Sequence, residues 1–154
     1  GGAARAISFT LAQNTKLGEL SILDIDEAQL QELKTNLETG TDAVIKSGLI
    51  SENSLAAEME KADLIINCTP VGMHPNVDVS LISPELFRPE QVVFDIVYTP
   101  LETKLLVEAK SRGLKVIPGV EMFINQAALQ FEHFTGVDAP VEVMRRVVME
   151  HLQS

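Results

Sequence analysis

The chain has 154 residues, 45% hydrophobic and 22% charged, the size and make-up of one folded domain with a substantial core. Its 22 acidic and 12 basic residues leave a formal charge of −10, the wrong sign for holding nucleic acid or an anionic membrane by counterion release, so neither is an expected partner. One Cys excludes a disulfide framework and a thiolate zinc cluster, and His74, His133 and His151 lack metal-ligand spacing, so no metal is expected and a reducing cytoplasm fits. No apolar run approaches the roughly 20 residues that cross a bilayer, and no secretory leader pattern opens the chain.

In chain order, Ala3, Ala4, Ala6, Ile7, Leu11 and Ala12 fall at helical spacing and predict a helix from the opening glycines to about Asn14. Leu20-Ser21-Ile22-Leu23, ending at Asp24, predicts a strand, and Leu30, Leu33 and Leu37 predict an amphipathic helix stopped by Gly40. Ala43 to Ile45 reads as a weak strand, Leu55 to Ala62 as a short helix, and Leu64 to Ile66 as a buried strand ending at Asn67. Val92 to Phe94 forms another, ending at Asp95. A helix from about Leu101 to Arg112 is closed by Gly113, and Val116-Ile117 precedes Pro118-Gly119. Helices over about Val120 to Phe134 and Val141 to Leu152 finish the chain. Short, uniformly apolar strands separated by helices mark a parallel sheet covered on both faces, so the expected fold is an open, Rossmann-like α/β sheet, with residues 1–154 forming one domain.

Four stretches could carry chemistry. Gly1-Gly2-Ala3-Ala4 opens a helix, and Asp24 follows at the end of the next strand, at about the 20-residue distance of a dinucleotide-binding βαβ unit. There, glycines let backbone approach a pyrophosphate, a helix N-terminus holds its charge, and the acid accepts from the ribose hydroxyls. A tight packing site or a tag remnant is the plain alternative. An acid at position 24 accepts both ribose hydroxyls and repels a 2′-phosphate, arguing for NAD over NADP, although Asp24 or Asp26 could simply cap the following helix.

Asn67-Cys68-Thr69-Pro70-Val71-Gly72-Met73 leaves a strand at its carboxyl end, where ligands lie in open parallel sheets. Cys68 reads as a small buried residue, and His74 as a solvated one. Asp95-Ile96-Val97-Tyr98-Thr99-Pro100 leaves another strand the same way. Tyr98, the only Tyr, either offers its hydroxyl to a polar substrate or packs at the sheet edge, while Asp95 holds backbone amides of its loop. In Gly119-Val120-Glu121-Met122-Phe123-Ile124-Asn125-Gln126-Ala127, Met122 and Gln126 share a helix face, with core packing and solvent as their plain alternatives.

Together these stretches resemble the C-terminal, nucleotide-binding domain of the shikimate/quinate dehydrogenase family, over almost the whole chain. Gly1 to Arg5 is similar to the tail of that family's Gly-Ala-Gly-Gly-Ala-Ala-Arg loop, Asn67 to Met73 to its Asn-Ala-Thr-Pro-Val-Gly-Met segment, and Asp95 to Pro100 to its Asp-x-x-Tyr-x-Pro segment. Gly119 to Phe131 is similar to its Gly-x-x-Met-x-x-x-Gln-Ala-x-x-x-Phe helix. The resemblance implies that Gly1, Gly2 and Ala3 approach the pyrophosphate, that Thr69 lines the cofactor cleft, and that Ile96, Gly119 and Met122 surround the nicotinamide. It also implies that Tyr98 and Gln126 contact shikimate or quinate.

Two positions depart from the family pattern. NADP-using members carry Asn-Arg-Thr where this chain has Asp24-Ile25-Asp26, which again favours NAD while leaving NADP open, and Glu121 replaces a common Gly. The resemblance further implies that the catalytic Lys and Asp belong to an N-terminal substrate domain, that no residue here is catalytic, and that the sheet's first strand precedes Gly1. A fragment that binds NAD but turns over little substrate is therefore expected. A homodimer stays open, as do three other readings: a catalytically silent regulatory NAD-binding module, a related reductase for another substrate, and a structural domain that binds nothing.

Overall fold

The computed structural model describes residues 1–152 and divides the chain into two compact units, Gly1–Lys61 and Ala62–Ser154. The first contains α1 (Gly2–Asn14), β1 (Leu20–Asp24), α2 (Glu27–Gly40), β2 (Ile45–Leu49) and α3 (Glu52–Met59). β1 and β2 pair in parallel, with Leu20 opposite Ile45 and Asp24 opposite Leu49. The crossover helix α2 starts where the Asp26 carboxylate accepts from the Ala28 and Gln29 amides, satisfying donors that the first turn leaves unpaired. Its Leu30, Leu33 and Leu37 form one buried stripe. Leu33, Leu37 and Ile45 make a small core against which Phe9, Ala12, Leu20, Ile22 and Ala43 pack.

The second unit contains β3 (Leu64–Asn67), a 3-10 turn at Pro84–Leu86, β4 (Val92–Asp95), α4 (Lys104–Ser111), β5 (Lys115–Ile117), α5 (Gly119–Thr135) and α6 (Val141–Leu152). The sheet order is β3-β4-β5, all parallel, and the register sets Asn67 beside Asp95 at the carboxyl ends of β3 and β4. Val93 in the central strand is fully buried, as are Leu106 of α4 and Ile124 of α5. α5 closes on Gly136, whose φ of 71° is the left-handed conformation that favours glycine, and packs against α6.

The expected parallel α/β architecture is thus present in both units, each with its own parallel sheet. β1 and β3 were expected to be buried on two faces. Instead every residue of β1 is half-buried, and Leu64 of β3 is exposed. Within each unit these are outer strands of their sheet, β1 paired with β2 and β3 with β4.

Several boundaries also differ from the sequence reading: α3 ends at Met59 rather than Ala62, and α4 begins at Lys104, after its Thr103 cap, rather than near Leu101. β2 begins at Ile45, where the weak strand was expected to end, because its pairing with β1 carries it through the polar Lys46-Ser47-Gly48. α3 begins at Glu52, three residues before the expected Leu55. The cause is a capping box in which the Ser51 hydroxyl accepts from the Ser54 amide while the Ser54 hydroxyl accepts from the Ser51 amide.

Candidate functional site

In the first unit, α1 opens without a side-chain cap and without an acid in its first turn, leaving its leading amides and the positive end of its dipole unsatisfied. A Cβ on Gly1 or Gly2 would meet nothing within 4 Å, so no packing within the chain demands glycine there. The glycines keep the approach to those amides open. At the end of β1, Asp24 Oδ1 accepts from the Ile25 amide at 2.7 Å and the Asp26 amide at 3.1 Å, while Oδ2 accepts nothing among the described residues. Asp26 is the helix cap, and the Gln29 side-chain amide and the Gln29 and Ala28 backbone amides hold its carboxyl below the ordinary value. The two acids therefore divide the readings left open for them: Asp26 caps, and Asp24 keeps one oxygen free.

The second unit is organised by three polar side chains at the ends of β3, β4 and the start of α4. The fully buried Asp95 accepts from Asn67 Nδ2 at 3.0 Å and the Val97 amide at 3.0 Å through Oδ1, and from the Thr103 hydroxyl at 2.6 Å through Oδ2. Thr103, itself fully buried, caps α4 by accepting from the Leu106 amide. Burial pushes the Asp95 carboxyl above its ordinary value, opposed by the hydrogen bonds from Thr103, Val97 and Asn67. Asn67 Oδ1 in turn receives the Thr69 amide at 3.0 Å and the Thr69 hydroxyl at 2.7 Å, and the Thr69 hydroxyl accepts from the Val71 amide. The loop expected to line a ligand is thus fixed from within, and what Thr69 can offer a ligand is chiefly its shape and position.

Gly119 begins α5 in close contact with the β4 exit loop. A Cβ there would fall 2.4 Å from the Ile96 carbonyl oxygen and 2.5 Å from that of Val97, so only glycine fits. This contact brings Ile96 and the first turn of α5 together. One turn on, the Tyr98 ring stacks on Phe123 with centroids 4.7 Å apart and planes 24° apart. Met122 is half-buried and Gln126 exposed, a turn apart on the same face. Neither the Tyr98 hydroxyl nor the Gln126 amide has a hydrogen-bond partner among the described residues. Glu121 is engaged by Arg145 of α6 through two bonds of 2.5 and 2.8 Å, which lower its carboxyl pKa and tie α5 to α6.

Cys68 is a half-buried thiol that burial pushes up to about 11, in keeping with a packing residue and far from a nucleophile. His74 is exposed, its backbone amide donating to the Thr99 carbonyl. Among the described residues no group of three or more His, Cys, Asp and Glu is placed to hold a metal ion, and no helix is long and apolar enough to cross a membrane.

The sequence reading missed Thr103, the Phe123 stack and the Glu121–Arg145 pair. A Thr placed just before the apolar-periodic Leu105 and Leu106 is a recognisable cap signal that could have found the first. The other two join residues far apart in sequence and leave no local signature. In the first unit, open amides at a helix N-terminus suit an anion and a half-free carboxylate suits a diol; in the second, a glycine contact holds Ile96 against α5.

Residues 119–149 match the model of the shikimate 5'-dehydrogenase C-terminal domain. Over 99% of its length the chain is 41% identical to the shikimate dehydrogenase (NADP(+)) of Methanosarcina barkeri, of which it covers 54%. Shikimate 5-dehydrogenase from Listeria monocytogenes, solved with shikimate and NAD, superposes with a TM-score of 0.87 at 31% identity, over 96% of this chain and 53% of that one. Quinate dehydrogenase from Corynebacterium glutamicum, solved with NAD, gives the same TM-score at 26% identity, over 97% of this chain and 52% of that one. The chain spans about half the length of the curated relatives it matches. Over nearly its whole length the chain is thus similar to shikimate dehydrogenases, and residues 119–149 match the model of their C-terminal domain.

Proposed function

We propose that residues 1–154 are the dinucleotide-binding domain of an NAD(P)-dependent shikimate or quinate dehydrogenase. An N-terminal domain, in the half of the relatives that this chain does not match, would supply the catalytic Lys and Asp that act on the substrate hydroxyl. The observation that carries this reading is the interlocked second unit, where the Asp95 network and the Gly119 contact hold a loop and a helix start rigidly while leaving the Tyr98 hydroxyl and Gln126 amide free. Rigid presentation of unpaired polar groups is what a substrate-positioning surface requires. A cytoplasmic setting accords with this reading.

In this reading the amides of Gly2 and Ala3 bind the pyrophosphate, with Gly1 leaving the approach clear. Asp24 accepts the adenosine ribose hydroxyls through Oδ2, its carboxylate oriented by the Ile25 and Asp26 amides. Ile96, Gly119 and Met122 form the wall for the nicotinamide, Thr69 shapes the loop beside it, and Tyr98 and Gln126 orient the hydroxylated ring acid. When bound, the nicotinamide exchanges a hydride with the carbon that carries the substrate hydroxyl. No residue of this chain is assigned the proton transfer, which needs a base within hydrogen-bond reach of that hydroxyl.

NAD is the favoured cofactor because a 2′-phosphate would meet the Asp24 carboxylate, with no Arg or Lys at positions 25 and 26 to receive it. Relatives named for NADP(+) make the opposite preference the competing outcome. Full-length protein assayed with shikimate and quinate, each with NAD and NADP, should reduce NAD with at least one of them. Dinucleotide binding without turnover would instead favour a silent regulatory module. Asp24→Ala should weaken NAD roughly tenfold or more, the worth of a charge-assisted hydrogen bond, with little effect on NADP. An unchanged ratio between the two cofactors would reject the assignment.

A further inference from the structure

Phe123 holds no place in the motif similarity, yet it is the side chain on which the ring of Tyr98 rests. The pair is stacked, each ring is 39% exposed, and the two come from different elements, the β4 exit loop and the second turn of α5. The other end of this arrangement is fixed: Gly119 seats the start of α5 on the backbone of Ile96 and Val97, and Asp95 holds the Val97 amide. Between these anchors and the Tyr98 hydroxyl lies one exposed residue whose phenol has no hydrogen-bond partner among the described residues. Without the stack the ring would sample several rotamers, at an entropic cost whenever a ligand needed its hydroxyl at one point.

We infer that Phe123 is a positioning residue for Tyr98, pinning the phenol so that its hydroxyl and the Gln126 amide, three residues farther along the same helix, meet a polyhydroxylated ring carboxylate together. The inference rests on the proposed role of Tyr98. It adds a residue that touches neither substrate nor cofactor and acts through the ring it supports. A stacked pair contributes about 0.5–1.5 kcal/mol beyond its buried area, so losing the preorganisation should raise the substrate KM roughly two- to tenfold.

The chain supplies its own reporter, since Tyr98 is its only Tyr and it has no Trp. In the 154-residue chain, Phe123→Leu should abolish most of the near-UV circular dichroism of tyrosine while the far-UV spectrum is retained. In full-length protein, Phe123→Leu should raise the KM for shikimate or quinate and leave the KM for the dinucleotide unchanged, and Phe123→Tyr, which keeps a ring to stack on, should restore it. Tyr98→Phe is the control. If Tyr98→Phe raises the substrate KM but Phe123→Leu does not, the inference is overturned while the reading of Tyr98 stands. If Tyr98→Phe changes nothing, the reading itself fails. Equal losses for substrate and dinucleotide in Phe123→Leu would overturn the inference by assigning the residue a general structural role.

Discussion

The two units present their candidate groups by opposite means. In the first, the candidate groups are mostly backbone at a helix N-terminus plus one carboxylate oxygen, and a Cβ on either opening glycine would meet nothing within 4 Å. In the second, Asn67, Thr69, Asp95 and Thr103 are committed to one another, and the glycine that opens α5 is wedged against carbonyls. Binding groups can thus be built by leaving donors unused or by fixing a few free ones with many spent ones, and the two constructions respond differently to substitution.

The sharpest contrast is between glycines. Gly119→Ala must displace backbone, since the new methyl would lie about 2.5 Å from carbonyl atoms of Ile96 and Val97. We expect a loss of about 3 kcal/mol or more, read as a lowered denaturation midpoint or failure to fold. Gly2→Ala should leave stability unchanged or raised by about 0.5–1 kcal/mol, since nothing opposes the methyl. It should act only on dinucleotide affinity. Equal stability effects from both substitutions would erase the distinction between the units.

Next in size, Thr103→Val removes the donor to Asp95 Oδ2 and the α4 cap while nearly preserving volume, and should cost about 2 kcal/mol by chemical denaturation. A change below about 0.5 kcal/mol would mean that Asp95 is held adequately by Asn67 and Val97.

The smallest effect separates two carboxylates within the second unit. Glu121 titrates below its unfolded value of 4.5 because Arg145 holds its charged form, so its contribution is present above pH 4.5 and is lost as pH falls through the lowered folded value. Asp95 lies above its unfolded value of 3.8. The unfolded chain therefore releases that proton first, and the contribution is present below pH 3.8 and lost as pH rises through the folded value. Glu121→Gln should flatten the acid side of the stability profile by less than about 1 kcal/mol, because the pair is more than a third exposed and screened by solvent. An unchanged acid limb would remove the α5–α6 ion pair from the account.

What could be read from sequence follows the range of the interactions. β1, β3 and β4 stand out because each is an apolar run ended by Asp24, Asn67 or Asp95, and those same residues turned out to hold the chain as it leaves the sheet. Asp26 and the Leu30-Leu33-Leu37 stripe are equally local signals. β2 was misplaced because Lys46, Ser47 and Gly48 become a strand only by pairing with β1. The Tyr98–Phe123 stack and the Glu121–Arg145 pair depend on how α5 is set against its neighbours, which no window of sequence contains.

The thiol of Cys68, one residue beyond β3, gives this architecture a clock. With its pKa near 11, only about one molecule in a thousand carries the thiolate at pH 8, so alkylation of the folded chain is slow. Transient loosening of the end of β3 would expose the sulfur and return it toward ordinary acidity. The modification rate then counts openings at the carboxyl end of β3, the outer strand of its unit's sheet. Since the chain has no other Cys, the clock reads a single place.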